Sequence, residues 1–128
     1  MSIIWVGSSR LQAVNDPFFG NVSLLLHGNG ANNSTVITDS SSSPKSVTAI
    51  GDAKISTTQS EYGGASFLFD GAGDWLRLQT GINGFAFGNG DFTVEAWIYR
   101  LNTNTANIFV GQCDLATAAG SSYVFYVG

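Results

Sequence analysis

Glu95 stands in FTVEAWIY, residues 92–99, a run whose alternation reads as a β-strand, with Trp97 two positions on. A carboxylate beside an aromatic side chain on a sheet is raw material for a sugar-cleaving site. Such a site needs two carboxylates in one groove, about 5 Å apart for retention and further for inversion. Side chains alternate along a strand, so the same-face neighbours of Glu95 are Thr93 and Trp97, neither of them acidic. Asp91 shares that face but lies about 13 Å away at about 3.3 Å per residue, at the strand mouth. No second carboxylate is placed for hydrolysis, and no catalytic residue is assigned.

Two other chemistries have residues to carry them. Asp70, Asp74 and Asp91, with Asn83 and Asn89, lie in glycine-rich stretches. Calcium takes several carboxylate and carbonyl oxygens of this kind. The same residues also suit turns, where Asp and Asn bond their own backbone; both readings stand. Trp75, Trp97 and Tyr99 are the candidates for stacking against a sugar ring, with burial in a core as the competing fate. His27, the single histidine, falls on the strand face opposite Leu24 and Leu26 and reads as a structural hydrogen-bonding residue. Cys113 is the one cysteine, so there is no intrachain disulfide framework, and it reads as a small buried apolar residue. With no CxxC motif, a zinc site within the chain is not expected.

These side chains need a frame, and the chain is built to supply strands. It has 128 residues, enough for one domain of modest size. Hydrophobic residues make up 44% and charged ones only 11%, below the roughly 25% usual in globular domains, so Ser, Thr, Asn and Gly must provide the polar surface. Helical spacing is absent. Short β-type runs separated by turn clusters predict eight to ten strands and an all-β sandwich or barrel. Residues 1–19 read as an N-terminal arm, in which Ile3, Ile4, Trp5 and Val6 can add a strand to a neighbour. The expected strands then include Val22–His27, a short one at Thr35–Thr38, and two around Gly51-Asp52. SFLF follows, ending at Asp70 with Phe67 and Phe69 on one face. Asp70-Gly71 is a hairpin signal leading into WLRL, Trp75–Leu78. Phe92–Tyr99 is expected as the longest strand, with Phe92, Val94, Ala96 and Ile98 inward. NIFVGQ and YVFYV close the series.

Charge excludes some partners. The net charge is −4, and the five cations, Arg10, Lys45, Lys54, Arg77 and Arg100, are scattered. Nucleic-acid binding rests on clustered cations that displace counterions, so neither nucleic acid nor an anionic membrane is an expected partner. The N-terminus does not read as a signal peptide, because its apolar run is short and no early positive charge precedes it. Asn21-Val22-Ser23 and Asn33-Ser34-Thr35 match the N-glycosylation pattern, a match common by chance.

Four pieces taken in order resemble a known family: LLLHGNG at Leu24–Gly30, TDSS at Thr38–Ser41, YGGASFLFDGAGDWL at Tyr62–Leu76, and FGNGDFTVEAWI at Phe87–Ile98. Together they resemble the concanavalin A-like lectin/glucanase superfamily, and more narrowly the laminin-G-like jelly-roll modules of bacteriophage structural proteins. The likeness spans about residues 20–128 and implies a jelly-roll β-sandwich. The superfamily's glucanases carry E-x-D-x-x-E on the strand comparable to TVEAWIY, and this chain lacks that spacing. Related lectin-like modules often hold calcium at loops, which keeps Asp70, Asp74 and Asp91 in view. Modules of this family usually continue past the strand resembling NIFVGQ, so a partial module is expected, completed by further chain or by a partner, or else shortened with its edges covered by its arm or by neighbours. The implied function is a non-enzymatic virion structural protein, a capsid decoration, cement or tail-fibre subunit. It would be virion-borne or extracellular, would assemble with other virion proteins or copies of itself, and would bind cell-surface glycan. The alternative is a carbohydrate-binding adhesion module of a longer secreted or tail protein.

Overall fold

The computed structural model describes residues 2–6, 16–79, 84, 85, 87, 89–100, 107–112 and 123–127. Asn83 and Cys113, assigned above from sequence, lie outside them. Ten strands occur among the described residues, with one 3-10 turn at Phe19–Asn21 and no α-helix. The chain is all-β, as its alternation and turn clusters predict. It divides into two compact units, residues 1–97 and 98–128.

In the first unit, β1 (Ser2–Val6) lies between β2 (Val22–Leu26) and β8 (Phe92–Ala96), and runs parallel to both. The segment expected as a separate arm therefore supplies the central strand of its own sheet. A parallel pair needs a connection of about a dozen residues or more, and residues 7–21 span the return from β1 to β2. Jelly rolls are antiparallel constructions, and β1 does not follow that pattern.

A second sheet has the order β3 (Val36–Ile37), β4 (Val47–Ile50), β7 (Trp75–Leu78), all antiparallel. A two-stranded sheet pairs β5 (Lys54–Ser56) with β6 (Ser66–Leu68). The Asp70-Gly71 signal thus does not join paired strands: β6 pairs back to β5 and β7 to β4. The stretch from β4 through β5 runs antiparallel to the stretch from β6 through β7 as one long arm, broken midway. At the break, residues 51–53 on one side face residues 69–74 on the other.

Both three-stranded sheets contribute to one apolar cluster. Leu24, Leu26 and Phe85 are its buried centre, and Ile37, Val47, Phe67, Leu76, Leu78, Phe87 and Val94 pack against it. Burying each such leucine contributes about 2 kcal/mol. Leu25, on the other face of β2, is also fully buried, as is Ile55. Ile55 is held from the side by loop 32–34, with Asn33 N–H donating to its carbonyl and its N–H donating to the Ser34 carbonyl, each at 2.8 Å.

Two expectations for β8 are corrected. The strand ends at Ala96, and Ile98, expected inward, lies beyond it and is exposed. Phe92 is also substantially exposed and is covered by stacking on Phe87, with ring centroids 4.3 Å apart. Likewise β6 stops at Leu68, leaving Phe69 exposed. In the second unit, β9 (Asn107–Gln112) and β10 (Tyr123–Val127) form an antiparallel pair with a register shift between Phe125 and Tyr126. Among the described residues β9, not β8, is the longest strand.

Candidate functional site

The TDSS segment organises one end of the first unit. Its strand-like alternation turns Asp39 and Ser41 inward, where both are buried, and leaves Thr38 and Ser40 outward. The Asp39 carboxylate accepts four hydrogen bonds: from Leu25 N–H at 3.0 Å and Ser41 N–H at 2.9 Å on Oδ1, and from Lys45 N–H at 2.8 Å and the Ser41 hydroxyl at 3.0 Å on Oδ2. A buried carboxylate is tolerated only when donors surround it in this way. Ser40 N–H adds a bond to the Leu25 carbonyl. Asp39 is a structural hub that ties loop 39–45 to β2.

On the outward side, Thr38 and Ser40 line a cleft of about 220 Å³ with His27, Gly28, Asn29 and Phe67. Three of the sequence pieces singled out above converge on it. The Phe67 ring, which also packs against the core, gives an apolar surface, and Asn29, Thr38 and Ser40 give polar groups. Sequence reading missed this site except for His27, which it took as structural. The available signal was the period of two in Thr38–Ser41.

The aromatic candidates are all exposed: Trp75 to 44%, Trp97 to 59% and Tyr99 to 68%. Trp75 points away from the core because its alternate neighbours Leu76 and Leu78 face it. Trp97 follows the end of β8 and meets Tyr62 edge-to-face, with centroids 5.8 Å apart and planes at 70°. Such a pair fixes two rings that would otherwise rotate freely. Tyr62 precedes Gly63, whose backbone lies against the Asn29 side chain. Tyr99 belongs to the second unit.

The acidic candidates fall differently. Asp74 Oδ2 accepts from Asp70 N–H at 2.8 Å, and Asp74 Oδ1 accepts from Asp52 N–H. Asp70 Oδ1 accepts from Ala72 N–H at 2.7 Å. The Asp70 N–H, and after it the Asp52 N–H, hold the Asp74 carboxyl below its ordinary value of 3.8. These oxygens face N–H donors, which a cation would have to displace. Asp74 clasps the two turns of the long arm, and Gly51 makes room for it: a Cβ there would strike the Asp74 carboxylate and the Gly73 carbonyl. Among the described residues, no group of three or more His, Cys, Asp or Glu side chains converges as a metal site would require, so Asp91 does not complete one with Asp70 and Asp74.

Glu95 is exposed on β8, opposite Trp5 of β1 in the register. No helix among the described residues is long and apolar enough to cross a membrane. No protein-family model matches the chain, and neither does any curated protein or solved structure.

Proposed function

We propose that the chain is a non-enzymatic, lectin-like β-sandwich module that binds carbohydrate. The observation that carries this reading is Trp97, largely exposed and met edge-on by Tyr62, in a unit that also carries a cleft with polar walls. Exposed aromatic surface with a few convergent polar groups is the composition a sugar requires: C–H faces stack on the ring, and hydroxyls meet side-chain donors and acceptors. Trp75 offers a second exposed platform on β7. The neighbours of Glu95 on its own face, Thr93 and Trp97, give no partner for two-carboxylate hydrolysis, which supports binding without cleavage.

The setting, a virion decoration or tail-fibre subunit associating with copies of itself or with other virion proteins, comes from the resemblance to phage structural modules. Placement of β1 between β2 and β8 favours the carbohydrate-binding role over assembly by arm exchange. A glycan array tests the reading. Wild-type protein is expected to retain at least one glycan class, and Trp97→Ala to weaken it about tenfold or more, at about 1–3 kcal/mol for a lost stacking contact. Retention of no glycan by the wild type would overturn it.

A further inference from the structure

We infer that the cleft between Thr38, Ser40, Asn29 and Phe67 is the primary subsite, and that it holds one pyranose unit of a neutral glycan. This inference rests on the carbohydrate-binding reading and names its ligand class. A cleft of about 220 Å³ has room for one pyranose ring. Its lining contains no Lys, Arg, Asp or Glu, and His27 is its one ionisable side chain. An anionic sugar would therefore find no permanent cation there, and the protein as a whole carries −4. Hydroxyl and amide groups both donate and accept, which suits vicinal sugar hydroxyls, whose own donors and acceptors alternate. Phe67 supplies the face for the ring C–H groups.

The Thr38–Ser40 wall is fixed before any ligand arrives. Thr38 and Ser40 flank Asp39, whose four hydrogen bonds lock the segment in place. The Asn29 side chain lies against the Gly63 backbone. Pre-organised walls lower the ordering cost of binding. The Tyr62–Trp97 pair, whose Tyr62 is next in sequence to the Gly63 that Asn29 lies against, then takes the next sugar of the chain by stacking. The cleft selects the sugar and the aromatic pair extends the contact.

The test is calorimetric and NMR titration of the intact protein with methyl glycosides of glucose, galactose, mannose and N-acetylglucosamine, and with glucuronic and sialic acids. At least one neutral glycoside is expected to bind about tenfold or more tightly than either acid. Thr38→Tyr, which fills the cleft from an exposed position, should abolish binding, and Thr38→Val, which removes only the hydroxyl, should weaken it about fivefold with the melting temperature unchanged. Trp97→Ala should weaken oligosaccharides more than monosaccharides. Full binding by both Thr38 variants alongside loss in Trp97→Ala would overturn the cleft and leave the carbohydrate reading standing. Equal or tighter binding of the acids would overturn the neutral ligand class. No binding of any sugar by the wild type would overturn both.

Discussion

Three carboxylates of this chain have three different fates, and each sets an expectation. Asp39 is buried with four donors on its two oxygens. Asp39→Ala strands the N–H groups of Leu25, Ser41 and Lys45, and unfolding in urea should show a loss of about 3 kcal/mol. Asp74 is accessible, and its carboxyl is depressed by the Asp70 and Asp52 N–H groups. A folded value below the unfolded one means that it stabilises the protein above the unfolded value and ceases to as the pH falls through the folded one. Wild type should therefore exceed Asp74→Asn in urea midpoint at pH 7, and the two should converge once the pH drops well below 3.8. Glu95 stands exposed on the sheet, and Glu95→Gln should change stability by no more than about 0.5 kcal/mol and leave glycan binding intact. A measured hydrolytic activity lost on that change would show that Glu95 is catalytic after all.

At the scale of elements, the long arm of β4–β5 against β6–β7 is the feature least readable from sequence. Asp70-Gly71 announces a turn and says nothing of which strands the turn serves. The turn instead faces Gly51-Asp52 across the arm, and Asp74 binds the pair together. Gly51 is needed on two grounds, a φ of +69° and the carboxylate against its Cα. Gly64 has a φ of +80° with open space around it. Gly64→Ala should cost about 1 kcal/mol from backbone strain alone, and Gly51→Ala about 2 kcal/mol or more, with thermal melts ordering the two. The reverse order would show that the clasp contributes nothing.

For the whole molecule, the decisive placement is β1. Its pairing with β2 and β8 makes it a central strand, and a proline there removes a ladder hydrogen bond and breaks the pairing. Ile4→Pro should lower the stability of the first unit by about 3 kcal/mol or more, read by circular dichroism on dilute protein. If Ser2–Val6 served a neighbouring copy, Ile4→Pro would instead leave the dilute protein equally stable and abolish association, seen as a change in native mass.

Sequence by itself determined about where most strands and turns lie, though not where β6 and β8 end, and which residues of a strand share a face. Leu24 and Leu26 meet in the core, Val94 packs beside them, and Asp70 makes its own turn, all as alternation and turn chemistry require. Those properties depend on neighbours a few residues away. Only the tertiary structure decided which strands pair, that the N-terminal strand runs parallel inside its own sheet, and that Trp75 and Trp97 stay in solvent. It also decided that Thr38 and Ser40 meet Asn29 and Phe67 across a cleft. Pairing and exposure are set by contacts between residues tens of positions apart, where many registers satisfy the same local pattern and only the packed core selects among them.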